Sequence, residues 1–177
     1  IYVYGSNGIM GNGTTIPANF NQDWERPINI EYYDPNKTQK INIQAGTKIS
    51  GAYSRKNAQK TLAIYADEKY GGDGKIEYQF FNQKNNLTLQ SFLLRNSGND
   101  WNNTMLRDGY LQTLIQNQID IDYMSFQPGV VFINGRYWGI QNIRERPGSE
   151  YLWSNYRFDK DSIDILEWNA AVVAGVK

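Results

Sequence analysis

Asn134-Gly135 stands between two apolar runs, Val130 to Ile133 and Tyr137 to Ile143, and restricts the fold more than any other stretch. A two-residue type I′ turn needs positive φ at both central positions, which Asn and Gly tolerate, and its twist matches that of the strands it joins. The pair therefore predicts a β-hairpin over Val130 to Ile143. A second hairpin is expected where Ile28 to Tyr33 and Lys40 to Ser50 flank Asp34-Pro35-Asn36. Thr61 to Ala66 places Leu62, Ile64 and Ala66 on one face at period two, ahead of the turn Gly71-Gly72-Asp73-Gly74. Thr88 to Arg95 reads as a further strand and Ile163 to Leu166 as a short one.

Helical spacing is clear at Leu106, Tyr110 and Leu114, with Leu111 and Ile115 beside them, after the capping-competent Asn102-Asn103-Thr104. One amphipathic helix is predicted there, and Glu150 to Tyr156 reads as a second, short one. Strands interleaved with one or two helices, without regular βαβ alternation, give an α+β class with a mainly antiparallel sheet. Gly5 to Asn21, rich in Gly, Asn and Thr, is expected to be an irregular loop. No repeat, heptad pattern or low-complexity linker divides residues 1–177, which read as a single domain.

Composition then narrows the chemistry. With 40% hydrophobic and 14% aromatic residues, the chain has enough apolar material for a core. Its 18 basic and 18 acidic residues cancel without forming a basic stripe, which argues against a nucleic-acid partner. Neither cysteine nor histidine is present, so thiol nucleophiles, disulfides, imidazole bases and the common zinc sets are excluded, and any metal must be held by oxygen. No apolar run is long enough for a membrane-spanning helix. The opening Ile1-Tyr2-Val3-Tyr4 reads as mid-protein, and the abundance of Asn, Tyr, Trp and Gly fits an exported bacterial surface protein. Asp159-Lys160-Asp161-Ser162-Ile163-Asp164 fails as a calcium loop, because Ile163 stands where an oxygen ligand is needed and no glycine follows.

Chemistry concentrates between Gly46 and Ile64. Lys48, Arg55, Lys56 and Lys60 cluster about a turn, where Arg and Lys donors with the Ser54 hydroxyl suit a phosphate; a solvated hairpin end is the alternative. Lys48, Gly51, Ser54, Arg55, Lys60, Thr61 and Ile64 match a pattern of the form R-x-x-G-x-x-S-R-x-x-P-x-K-S-x-R-I, with Ala58 in place of proline and Ala63 in place of a basic residue. Leu93-Leu94-Arg95-Asn96 with Asp100, then Thr104-Met105-Leu106-Arg107-Asp108, form a second match. Val131 through the Asn134-Gly135 turn to Tyr137-Trp138-Gly139, leading to Ile143-Arg144-Glu145, form a third. Phe158-Asp159 through Ile163-Asp164-Ile165-Leu166-Glu167 continues in the same style. In order, and covering most of Gly46 to Glu167, these stretches resemble the CotH family, the spore coat protein H-like atypical kinases.

That resemblance implies the N-terminal half of an atypical kinase-like fold, ATP with Mg or Mn as cofactors of the full-length protein, and phosphorylation of secreted or surface proteins. Lys60, Arg55, Ser54, Arg107 and Glu145 become candidate nucleotide-binding residues, with no catalytic residue and no metal ligand assigned. Lys60 is either a phosphate-contacting lysine at a strand start or a snorkelling lysine beside the core. Arg107 and Asp108 either form a structural salt bridge or approach the nucleotide, and Glu145 is a hinge residue or a surface carboxylate. In the family the catalytic-loop Asp with its Asn and the metal-binding Asp-x-Asp-Phe-like segment come later, and no such pair follows Glu167. The expectation is an incomplete N-terminal portion, inactive alone, whose partner is the remainder of the polypeptide. The competing expectation is a non-catalytic surface module that binds polysaccharide or a protein. Tyr137-Trp138 would serve the first of these as a platform, but reads better as a cross-strand core pair.

Overall fold

The computed structural model describes residues 4–13, 18–85, 88–167 and 169–175. In chain order its strands are β1 (Arg26–Tyr33), β2 (Gln39–Ser50), β3 (Thr61–Tyr65), β4 (Ile76–Glu77), β5 (Thr88–Leu89), β6 (Ser91–Arg95), β7 (Phe126–Ile133), β8 (Arg136–Glu145), β9 (Ile165–Glu167) and β10 (Ala171–Ala174). Two helices, α1 (Arg107–Ile115) and α2 (Ser149–Tyr156), complete the regular structure. The fold is α+β and dominated by a six-stranded antiparallel sheet of order β1-β2-β3-β6-β8-β7.

Turn chemistry makes both predicted hairpins. Asp34 Oδ1 accepts the Thr38 N–H at 2.9 Å between β1 and β2. Asn134 at φ 51° and Gly135 at φ 76° form the β7–β8 turn, in the positive-φ region that type I′ requires. The expected strand Thr88 to Arg95 breaks at Gln90: β5 pairs with β4 in a separate ribbon, whereas β6 enters the main sheet between β3 and β8. Gly5 to Asn21 is irregular apart from a short 3-10 turn at Asn19–Asn21, and residues 14–17 lie outside the described residues.

Alternation sorts the sheet into two faces. Ile49, Leu62, Leu94 and Ile143 lie in one cross-strand row, and Lys48, Ala63, Leu93, Arg144 and Phe126 lie in the next, pointing the other way. The first face is the core side, where Ile41, Ala45, Ile49, Leu62, Ile64, Phe92 and Ile143 pack on Ile76, Phe80, Phe81 and Leu89 from the segment around β4 and β5. Phe80 gathers Tyr32, Tyr78 and Phe92 at centroid distances of 5.0–5.3 Å. Burying each of the larger side chains stabilises by about 1.5–3 kcal/mol. Gln127 on one edge strand donates to Tyr32 Oη on the other at 3.1 Å, so the sheet curls around this core until its edges meet.

The second face carries α1. Gly109 lets the helix approach, since a Cβ there would fall 2.6 Å from the Phe126 ring. Contrary to an ordinary amphipathic arrangement, the stripe Leu106, Tyr110, Leu111 and Leu114 points outward and is half or more exposed. The helix also starts later than Asn102-Asn103-Thr104 suggests. Asp100, rather than a residue of that triplet, accepts the Arg107 N–H at 3.1 Å and the Thr104 hydroxyl at 2.6 Å. Tyr137 corrects the expectation of a core pair: it packs edge-on against Phe132 at 5.8 Å, yet both rings are exposed. Trp138 is the extra residue of a β-bulge, opposite the step from Val131 to Phe132.

Candidate functional site

Three centres of buried or half-buried charge result, and the residues singled out in the sequence are divided among them. The first is the loop between β2 and β3. Lys60 is fully buried, with Nζ donating to Arg55 O at 2.7 Å and Asn57 O at 2.9 Å and lying 4.2 Å from the centroid of Phe20. Burial pushes its ammonium down to about 8. Arg55 donates to Gly51 O and Phe20 O, and Ser54 is buried beneath the same turn. Ser54, Arg55 and Lys60 therefore come together, but as the internal bracing of a loop. Gln59 ties that loop to the bulge, donating to Trp138 O and Ile140 O at 3.1 and 3.2 Å.

Glu145 belongs to a second centre, on the core face of β8, paired in register with Phe92. Its carboxylate is 2% exposed and accepts from Lys84 Nζ at 2.8 Å, Ser125 N at 2.8 Å and Asn155 Nδ2 at 2.9 Å. Lys84 spends its other two N–H groups on Tyr123 O and Tyr151 Oη. It also lies over the Tyr123 and Tyr151 rings. Burial, then the Glu145 charge, drives the Tyr151 hydroxyl upward. A cleft of about 640 Å³ opens beside this node, lined by Lys84, Asp120, Asp122, Tyr156 and Arg157 among others. Glu145 is thus neither exposed nor at liberty, and it ties β8, α2 and the chain before β7 into one unit.

The third centre was not assembled by sequence reasoning, although Asp108, singled out there, belongs to it and Arg107 lies beside it. Arg95 on β6 and Arg144 on β8 point to the α1 face and converge on Asp108, in the first turn of α1. Arg95 Nε donates to Asp108 Oδ2 at 3.1 Å, and Arg144 Nη1 pairs with the same oxygen. The other N–H groups of both guanidiniums have no protein acceptor among the described residues. Two cations share one anion, an excess of one positive charge. Arg95 is 31% exposed and Arg144 9%. Burial, then the Arg95 charge, pushes the Arg144 guanidinium down to about 10, so both remain cations at neutral pH. Arg107 stays outside, 66% exposed and 3.5 Å from Asp100.

Buried Asn96 holds the surrounding loops in place. It donates to Gln59 O at 2.6 Å and accepts from Thr61 Oγ1 at 2.8 Å and Gly98 N at 3.0 Å. A Cβ at Gly98 would lie 3.0 Å from Arg95 Nη2, so the turn passes close against the guanidinium. Asn57 of the β2–β3 loop reaches Gly98 O at 3.4 Å. The arginine pair therefore sits at the foot of the cationic loop.

A family model described as CotH kinase protein matches residues 47–175. The chain belongs to the CotH family. No curated protein and no solved structure matches it. Within this CotH chain, Arg95 and Asp108 come from one of the stretches that carry the family resemblance and Arg144 from the next. They are 13 and 36 residues apart in sequence, and they meet only because β6 pairs with β8 and α1 crosses back over both. Spacing alone gives no hint of this, whereas the alternation of β8 did offer one: Arg144 and Glu145, adjacent and opposite in charge, must leave by opposite faces.

Proposed function

We propose that this CotH chain binds the phosphates of a nucleoside triphosphate at Arg95 and Arg144, in the service of ATP-dependent phosphorylation of secreted or surface proteins. The observation that carries the reading is the strand-borne cation paired with a helix-borne carboxylate, Arg95 with Asp108. Kinase-type sites likewise pair a strand-borne cation with a helix-borne carboxylate beside the phosphates. The guanidiniums retain unused N–H donors, and Arg binds phosphate through two parallel hydrogen bonds. Metal is a different matter. Among the described residues no group of three or more acidic side chains converges. Asp100 and Asp108 are already engaged by Thr104 and by the arginines. No such cluster of carboxylates for phosphate-bridging Mg or Mn is found among the described residues.

The reading makes phosphate binding the expected activity of this chain, without phosphoryl transfer. Calorimetry with ATP, with and without magnesium, should give weak binding that Arg95→Gln removes and Lys60→Met leaves in place. Binding unaffected by Arg95→Gln, or phosphoryl transfer to a generic acceptor protein that Lys60→Ala abolishes, would sink it. The exposed strip of Val130, Phe132, Tyr137 and Ile140 favours a second reading, a surface module that binds polysaccharide or protein. Indifference of the chain to ATP in the same titration would point there.

A further inference from the structure

We infer that Asp108 is a charge latch: it fastens α1 to the sheet by occupying Arg95 and Arg144, and an anion that engages those arginines loosens the helix. The inference rests on the phosphate-binding function proposed for this face and concerns how that site is regulated.

The sign of the coupling follows from the charges. Asp108 Oδ2 bears on both guanidiniums, so a phosphate drawn to them arrives within a few ångströms of a fixed carboxylate. Like charges at that separation repel, and the two anions draw on the same pair of cations. If Asp108 weakens the hold on phosphate, linkage requires phosphate to weaken the hold on Asp108 by the same factor.

Beyond Asp108, little fastens the first turn of α1 to the sheet. Its apolar stripe faces outward, and its seat on Phe126 is made by Gly109, which has no side chain to interlock. Its ends are tied separately, through the Arg107 N–H to Asp100 and through Gln112 Oε1, which accepts the Met124 N–H at 2.7 Å. Release of Asp108 therefore loosens the helix, so that it opens more often, while its ends stay tied.

The test titrates sodium pyrophosphate into the chain at fixed ionic strength, with amide exchange of residues 107–115 followed alongside. Asp108→Asn should bind pyrophosphate about tenfold more tightly, a coupling of ordinary size. Gly109→Ala, which leaves every charge in place and forces the helix off the Phe126 ring, should move affinity the same way by less. Saturating pyrophosphate should speed exchange in α1 severalfold and leave β6 and β8 unchanged. Unaltered or weaker binding in Asp108→Asn overturns the latch, as does unaltered or slower exchange in α1; if Asp108→Asn fails to fold, Gly109→Ala decides. Arg95→Gln and Arg144→Gln separate the two claims. If they lose pyrophosphate while the latch variants are flat, only the latch fails; if they bind like the parent chain, the phosphate reading fails and takes the latch with it.

Discussion

Arg144 and Glu145 are neighbours in β8, but they stand in opposite kinds of environment. Glu145 faces the core side into a closed network, where its oxygens and all three protons of Lys84 have partners. Arg144 faces the α1 side into an open one, where two guanidiniums share a single carboxylate and donors are left over. A closed network of this kind holds elements together and has no capacity for a ligand. An open one contributes less to stability, and its unused donors are what a phosphate needs.

The largest expected effect breaks the closed side. Glu145→Gln keeps the shape but leaves Lys84 buried without its counter-charge, which should cost about 3–5 kcal/mol in urea unfolding. A loss below about 1 kcal/mol would mean that water reaches the node and that the two faces are alike. Lys60 extends the comparison to a cation sealed by carbonyls and a ring. The unfolded chain keeps that proton to about 10.4, whereas the folded chain releases it near 8, so the unfolded state binds more protons between those values and stability rises with pH. Relative to Lys60→Met, the parent chain should gain about 2.5 kcal/mol from pH 8 to 10.5. A flat difference across that window would show that the ammonium is solvated. The smallest effect belongs to the open side: Arg95→Gln should change stability by less than about 1 kcal/mol, as half-exposed ion pairs do, while removing phosphate binding.

The same contrast separates what was legible in the sequence from what was not. Both hairpins were legible because Asn134-Gly135 and Asp34-Pro35-Asn36 act within a few residues of themselves. Ser54, Arg55 and Lys60 lie in one loop for the same local reason. The direction of the α1 stripe was not legible, since helical period shows only that Leu106, Tyr110 and Leu114 share a side, never that the sheet lies opposite. Lys84 was missed because its partner Glu145 is 61 residues away and the segment around it carries no periodic signal. Arg95 and Arg144 were each noticed inside a motif, but only the β6–β8 pairing makes them one site.

The bulge at Trp138 has a bearing on how such a chain can vary. Beyond it, toward the turn, the period-two assignment of residues to faces is reset by one position, so that Tyr137 and Ile140 share a face despite their odd spacing. A deletion of one residue at that point would remove the bulge and leave Tyr137 opposite Phe132, with the faces of the hairpin tip unchanged. Ile140 through Glu145 would stay in register with β7, and the arginine and the carboxylate would keep their opposite outlooks. The bulge thus absorbs a one-residue change of length, and the frame of the charged residues below it is insulated from that change.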